Sequence, residues 1–394
     1  MRSRARLSLT ALALSLSFAT PFAASAQDSD SIFSFSGFGT VGVVHNDEDL
    51  ADFATDFGPD GAGYTDAWSA NPDSRLGAQV DAQFTDRFSA VVQVLSEYDY
   101  AGSYAPEVTL AHVKYAFTPA LSVRLGRLAP PTFMLSDYRK VGYAMPWLRP
   151  PVEVYNTSLA IDGGEIAYKF NVGATAMTLQ LVAGDTDAGT IELDDTIGLV
   201  GRAEFGNSTL FAGYNRTKLS LKSDPGLDAL LALYTPAFPE LAARFHPADN
   251  DVTFSALGYA YDPGTWFARA EVTRLGTEDG MIAASTNMYA SAGVRTGTFT
   301  SYATLGKVEM DGPQTLGAAD PIGVINAVLA GSNSARESLT VGTRWDFREN
   351  FALKFEAAHV RADTGSNGGL TNLQPGFRTG GSYNLLSAAV DFVF

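Results

Sequence analysis

Short segments in which apolar and polar residues alternate follow one another along most of this chain. In the segment 338–347, Leu339 and Val341 fall on one face, whereas Arg344 and Asp346 fall on the other. Successive side chains of a β-strand point to opposite faces, so this period of two predicts half-buried strands. About sixteen strands are predicted, at residues 33–44, 74–84, 88–98, 108–117, 121–128, 162–170, 174–184, 196–205, 209–219, 251–261, 266–275, 286–295, 299–309, 338–347, 351–361 and 383–394.

The connections between these segments alternate between short and long. The short ones carry turn-forming residues and lie at 85–87, 118–120, 171–173, 206–208, 262–264, 296–298 and 348–350. The long ones include 45–73, 127–156, 220–250, 310–337 and 362–382. Short turns on one side and long loops on the other are typical of outer-membrane barrels. The fold class predicted is therefore all-β, a transmembrane antiparallel β-barrel.

The two faces of the predicted strands differ in charge as a membrane barrel requires. In the segment 196–205, Ile197 and Leu199 oppose Arg202 and Glu204. Placing an arginine at the bilayer midplane would cost ~2–4 kcal/mol, so the apolar face is predicted to meet lipid and the charged face to meet water. The segments 251–261 and 299–309 alternate poorly, and their faces are not assigned.

The first residues have the pattern of an export signal. Arg2, Arg4 and Arg6 precede an apolar run from about 7 to 19, and small residues follow at 24–26. These features predict a cleaved secretory signal peptide at 1–26 and a single barrel domain at 27–394. No later apolar run approaches the ~20 residues of a membrane helix.

The composition limits the classes of partner and ligand that are expected. The formal net charge is −16, which argues against a nucleic-acid partner, and the chain has no cysteine. Eight carboxylates crowd the loop 45–73, where oxygen ligands for calcium are available, but EF-hand spacing is absent and a solvated loop is favoured. No cofactor and no metal site is predicted.

The segment 127–156 differs from all the others. Five prolines exclude a long helix or a central strand, yet the segment is rich in aromatic and charged residues. A connection of this length and composition is more often functional than disordered. We therefore expect an ordered loop.

The last predicted strand ends the chain on an aromatic residue. Leu386, Ala388, Val390, Phe392 and Phe394 share one face. This ending is similar to the sorting signal of Gram-negative outer-membrane barrels, which predicts that the protein resides in the cell outer membrane.

Taken together, the chain resembles the general porins of Gram-negative outer membranes. The resemblance rests on the Gly-Phe-Gly sequence at 37–39, the Leu-Gly-Arg sequence at 125–127, the terminal Phe394 and the long loop between the fifth and sixth strands. It implies a trimeric sixteen-stranded channel whose third external loop folds into the lumen and forms a constriction. It also implies outer-membrane lipid, lipopolysaccharide and small hydrophilic solutes as partners, and a homotrimeric assembly.

In that family, acidic groups on the loop face basic groups on the wall. Strict alternation turns Arg75 and Arg124 inward, whereas only a bulge at Gly126 would turn Arg127 inward. The constriction residues predicted here are Asp137, Arg139, Lys140, Arg149, Glu153, Arg75, Arg124 and Arg127.

The function predicted is passive diffusion of small hydrophilic solutes and ions through a water-filled channel. A porin specific for an anion or a small organic solute remains an alternative, as does, with less support, a barrel hydrolase. The four histidines are scattered, and neither an HExxH nor a GxSxG motif occurs. A dinucleotide-binding spacing at 37–42 lies inside a predicted strand without a following helix, so those glycines fit bending or close packing better.

Overall fold

The computed structural model describes residues 31–394 except 57, 157–158, 223–224, 278–281 and 313–314, and sixteen long antiparallel strands within the described residues form its wall. The predicted signal peptide at 1–26 lies outside the described residues. The strands are Phe33–Asn46 (β1), Arg75–Gln83 (β2), Phe88–Glu97 (β3), Glu107–Ala116 (β4), Leu121–Leu128 (β5), Ile161–Val172 (β6), Thr175–Asp187 (β7), Ile191–Phe205 (β8), Ser208–Leu221 (β9), Asn250–Tyr261 (β10), Trp266–Thr277 (β11), Ser285–Thr296 (β12), Phe299–Met310 (β13), Arg336–Arg348 (β14), Phe351–Ala362 (β15) and Ser382–Val393 (β16).

Each strand pairs with its neighbour in the chain, and the first pairs with the last. The register between β1 and β16 runs from Phe38 opposite Val393 to Asn46 opposite Leu385. A sheet closed in this way leaves no strand edge with unpaired backbone groups, which is the requirement for a sheet in a bilayer. The predicted fold class, an antiparallel barrel of sixteen strands, is confirmed.

The exposure of the side chains follows the predicted faces. Leu339 and Val341 are exposed on the outer surface of β14, while Arg344 reaches into the barrel and donates to the Tyr143 carbonyl at 2.5 Å. The segments that could not be assigned, in β10 and β13, carry apolar residues on both faces. Leu257 points outward and is exposed, whereas Tyr302 points inward and is buried. Their alternation fails because the inner face also packs against apolar residues, as described below.

One predicted strand begins earlier than expected. We predicted a strand at 196–205, but β8 begins at Ile191 and shifts its register between Asp194 and Ile197. Asp195 there adopts a positive φ of 52°. The carboxylates at this irregularity interrupt the alternation, so the pattern detects only the part of the strand beyond it.

The glycines at the start of β1 make room for the end of the chain. Gly37 and Phe394 exchange two backbone hydrogen bonds of 2.8 and 3.0 Å. The ring of Phe394 occupies the space where a Cβ on Gly37 would lie, and the ring of Phe392 does the same at Gly39. The interpretation of these glycines as close-packing positions is confirmed.

We predict that Gly37→Ala lowers the melting temperature of the barrel, because the new methyl group displaces the terminal ring from the seam between β1 and β16. Gly201→Ala on β8 is the matched control, since its nearest neighbour in space is a Leu179 methyl group at 3.5 Å, an ordinary contact. Heat-dependent migration of the folded form on gels measures both variants. Equal melting of the two would contradict a packing role for Phe394.

Helices occur only in the long loops of the described chain. The α-helices are Pro225–Ala232 (α1), Pro239–Arg244 (α2) and Val324–Ser332 (α3), and two 3-10 helices lie at Gly142–Ala144 and Gly317–Ala319. Tyr234 packs with Phe245, Ile325 and Leu329, and its hydroxyl donates to Asp320 at 2.5 Å, so the two loops that carry α1, α2 and α3 support each other. No helix among the described residues is long and apolar enough to cross a membrane.

The acidic loop after β1 is folded more tightly than a solvated loop. Phe53 and Ala62 are buried in a cluster with Leu370 of the loop between β15 and β16 and with Tyr383 of β16. Asp52 accepts hydrogen bonds from Thr65 and Asn372. No group of three or more metal-ligating side chains in a suitable arrangement occurs among the described residues.

Candidate channel constriction

The described part of the loop between β5 and β6, residues 129–156 and 159–160 and hereafter the lumen loop, lies inside the barrel. Its apolar side chains form a buried cluster with aromatic residues on the inner face of β11, β12 and β13. The members from the loop are Phe133, Leu135, Met145, Trp147, Val154 and Tyr155, and those from the wall are Phe267, Tyr289 and Tyr302. Burial of these side chains is worth roughly 1.5–3 kcal/mol each, so the loop is held by a core of its own.

Hydrogen bonds fix the first part of the lumen loop to the wall. The Glu271 carboxylate on β11 accepts the Met134 N–H at 2.9 Å and also the Tyr155 hydroxyl. Arg202 on β8 donates to the Met134 carbonyl at 3.0 Å. The start of the loop is thereby joined to its end through one carboxylate.

Trp147 is anchored on the same side of the barrel. Its indole N–H donates to Ser291 Oγ at 2.9 Å, and the Arg269 guanidinium lies 5.3 Å from its ring centroid. Trp147 is 1 % exposed. A buried indole with its donor satisfied is a well-defined fixing point.

The middle of the lumen loop is held by a fully buried ion pair. Lys354 on β15 and Asp391 on β16 are both 0 % exposed, with 2.7 Å between Nζ and Oδ2. The same ammonium donates to the carbonyls of Gly142 and Trp147 at 2.8 and 2.6 Å. Thr40 on β1 donates to the other Asp391 oxygen at 2.5 Å. A side chain at position 142 would overlap Asp391, so the close approach requires glycine.

Arg149 forms a second buried ionic anchor. Its guanidinium donates to both Asp73 oxygens at 2.7 and 2.6 Å and to Ser387 Oγ at 2.8 Å. Glu356 lies 3.7 Å away. Burial alone would lower the pKa of Arg149, but the Asp73 and Glu356 carboxylates outweigh it and raise that pKa. Arg149 therefore stays charged while buried.

Lys140 attaches the lumen loop to the acidic loop and to β3. Its ammonium donates to Asp56 at 2.7 Å and to Glu97 at 2.8 Å. Burial alone would raise the pKa of Asp56, but Lys140, with Arg139 and Arg75 nearby, lowers it. Three charged groups thus hold each other across two loops.

The three remaining charged residues predicted on the lumen loop differ in their burial and in their partners. Glu153 is buried, accepts from Ser338 at 2.9 Å and lies 3.7 Å from Arg336. Arg139 is buried against the ring of Phe133, 5.3 Å from its centroid. Asp137 is exposed and makes no hydrogen bond or ion pair with any described residue.

The predicted wall arginines divide between the two faces of the barrel. Arg75 lies on the inner face, 3.9 Å from Glu97. Arg124 also lies inside and forms two hydrogen bonds, of 3.0 and 2.5 Å, with Glu165.

Arg127 requires a correction. Gly126 has a positive φ of 127°, but the pairing of β5 with β6 continues through it without a shift, with Arg127 opposite Asp162. Arg127 consequently shares the outer face with the exposed Leu125 and binds Asp162 at 2.6 Å. It is not a constriction residue, because no bulge turns it inward.

The sequence analysis did not identify the residues of the barrel wall that bind the lumen loop. The missed residues are Asp73, Arg202, Glu271, Arg336, Arg344, Lys354, Glu356 and Asp391. Most of them lie on the inner face by strand alternation, which was the available signal. Alternation does not say which partner each residue meets: Lys140 and Arg149 of the loop meet the acidic wall residues Glu97 and Glu356, whereas Glu153 meets the basic wall residue Arg336.

Solved outer-membrane channels are similar to this chain in structure. An anion-selective porin from Comamonas acidovorans aligns with a TM-score of 0.58 and 15% identity, over 92% of this chain and 99% of the other. The outer membrane channel DcaP of Acinetobacter baumannii aligns with a TM-score of 0.56 and 12% identity, over 92% and 97%. A trimer form of OmpT, an outer membrane protein of Vibrio cholerae, gives 0.51 and 12%, over 92% and 99%. No family model and no curated protein matches the sequence.

These likenesses define the class of fold. A closed barrel of sixteen antiparallel strands is shared with the outer-membrane porins, and the fold that the sequence resemblance implied is confirmed.

Proposed function

We propose that this protein is an outer-membrane porin that passes small hydrophilic solutes and ions by diffusion and assembles as a homotrimer. The observation that carries the proposal is the ordered lumen loop, anchored on the inner wall of a closed barrel. A loop held in this way narrows the water-filled channel without closing it. Pore width then sets the size limit, and lining charges act strongly where low-dielectric walls surround the water.

We place the aqueous path along the inner face of β2 to β7. The lumen loop takes its apolar contacts and most of its anchors from the opposite wall. On the β2–β7 side the half-buried Gln79, Gln93 and Thr109 form a hydrogen-bonded row, with spacings of 2.8 and 3.0 Å. Arg124 and Glu165 continue this polar surface, which suits contact with water.

The constriction residues follow from this placement. Arg124 on the wall and the unpaired Asp137 on the loop are the charges we assign to the narrow part of the path. Arg139, Lys140, Arg149 and Glu153 serve mainly to hold the loop, and Arg75 borders both regions.

A matched pair of variants tests the assignment. Arg124 and Arg127 lie on the same strand and each binds a carboxylate of β6, one inside the barrel and one outside. Arg124→Gln leaves Glu165 uncompensated in the path, so the zero-current potential across a potassium chloride gradient should shift toward cation preference. Arg127→Gln should shift it much less, because that charge faces away from the water column. Equal shifts would contradict the proposed path.

Planar-bilayer recording of the purified protein tests the function itself. Conductance steps that close in threes support a trimeric diffusion channel. Conductance that a single solute blocks at low concentration would favour the solute-specific alternative. Absence of conductance in a folded, membrane-inserted preparation would refute the channel proposal.

The hydrolase alternative receives no support from the histidines. Within the described residues, His45 hydrogen-bonds to the Ala67 carbonyl, His246 accepts the Ala248 N–H, and His359 hydrogen-bonds to the side-chain oxygen of Asn384. His112 is buried with Nδ1 unpaired. A nucleophilic serine activated by histidine requires a hydrogen bond between the serine hydroxyl and the imidazole, and none of these contacts is of that kind.

A further inference from the structure

A small cavity lies where the acidic loop, the lumen loop and β2 meet. It offers about 20 Å³ of space and is lined by four basic side chains, Arg75, Arg139, Lys140 and Arg149, but by a single carboxylate, Asp56. We call it the arginine cavity. A space of about 10–15 Å³ already admits one water-sized particle, so this cavity has room for one.

Two of the basic residues that line the cavity have a buried donor atom without an acceptor. Arg139 is 8 % exposed, and its Nη1 has no hydrogen-bond partner among the described residues. The Arg75 Nε is buried and unpaired in the same way, and the Arg75 side chain is 11 % exposed. A buried donor without a partner costs about 1–3 kcal/mol, and more when it is charged.

The other charges around the cavity are already engaged with one another. Lys140 is bound by Asp56 and Glu97, and Arg149 by both oxygens of Asp73. Arg139 makes no hydrogen bond or ion pair of its own within the described residues, and its guanidinium lies 5.3 Å from the centroid of the Phe133 ring. Burial lowers the pKa of the Arg139 guanidinium, although Asp56 and Glu97 act in the opposite direction. The positive charge at this place that lacks a direct counter-ion is therefore that of Arg139.

We propose that the arginine cavity binds one small monovalent anion of the chloride class, held by Arg139 Nη1 and Arg75 Nε. A monatomic anion supplies both the missing acceptor and the missing negative charge, whereas a water molecule supplies only an acceptor. The cavity has room for one water-sized particle, which suits a monatomic anion. The bound anion joins the lumen loop to β2, and this role does not rest on the channel function.

Bromide provides the direct probe, because it scatters anomalously and replaces chloride. Crystals of the wild-type protein grown in sodium bromide should show one anomalous peak within hydrogen-bond distance of Arg139 and Arg75. Arg139→Gln should remove that peak. Arg348→Gln is the matched control, since Arg348 likewise lies near an aromatic ring, 5.7 Å from the centroid of Phe351, but at the far end of the barrel. It should keep the peak.

Thermal unfolding in solution gives a second readout. At constant ionic strength, replacing chloride by gluconate should lower the melting temperature of the wild type and of Arg348→Gln, and leave that of Arg139→Gln unchanged. A wild-type crystal without a peak in the cavity would overturn the proposal, as would a peak that survives in Arg139→Gln. If Arg139→Gln does not fold, the wild-type crystal and the comparison of the two salts decide.

Discussion

Lys354→Met is expected to lower the free energy of unfolding by ~3–5 kcal/mol, the range measured when one partner of a buried ion pair is removed. Asp391 would remain at 0 % exposure beneath the lumen loop without its counter-ion. The carbonyls of Gly142 and Trp147 would lose their shared donor at the same time. Thr40 alone cannot compensate a buried carboxylate.

Chemical denaturation of the detergent-solubilised barrel measures this change. Lys307→Met is the control, because Lys307 also pairs with carboxylates but lies on the outer, partly exposed surface, and its loss should lower the stability much less. Adding Asp391→Leu to Lys354→Met should recover part of the stability, since no unpaired charge is then buried. If Lys354→Met were no less stable than Lys307→Met, the ion pair would not be the anchor described.

The barrel could be predicted from the sequence because the patterns that specify it are local. Alternation with period two depends on each residue's own environment, lipid or lumen, and the turn residues mark where strands end. The pattern fails at β10 and β13, where Phe254 and Tyr302 face inward although the lumen of a barrel is usually polar. Those positions are apolar because a distant loop covers them, and no local pattern records that loop.

The anchors depend on contacts that alternation does not specify. Alternation places Arg75 and Arg124 inside and Arg127 outside, as observed, but it does not say which acid each one meets. Arg149 reaches Asp73 only because the lumen loop crosses the barrel, and its path is set by prolines and tertiary packing. The opposition of loop acids and wall bases implied by the family resemblance has its single close counterpart in the described chain at Glu153 and Arg336.

Replacing residues 130–151 by a short Gly/Ser linker is expected to give the largest rise in conductance of all the changes proposed. The segment carries four of the six loop residues of the apolar cluster, and the Gly142 and Trp147 carbonyls that bind Lys354. The barrel should still assemble, because its strands pair with one another and not through the loop. Single-channel recording measures the conductance, and liposome swelling with sugars of increasing size measures the size limit.

The matched control replaces 225–246, a segment of the same length whose Tyr234 and Phe245 pack on α3 instead of the lumen wall. That change should raise conductance much less. In the first variant Glu271 would lose the Met134 N–H, and Glu356 would lose Leu148 and Arg149, yet both acids would then face open water. Water then hydrogen-bonds to these carboxylates in place of the lost loop groups. The loop replacement should therefore destabilise the barrel less per lost contact than Lys354→Met, because in Lys354→Met the loop still excludes water from Asp391. Unchanged conductance in a folded barrel without 130–151 would mean that the lumen loop does not limit the pore.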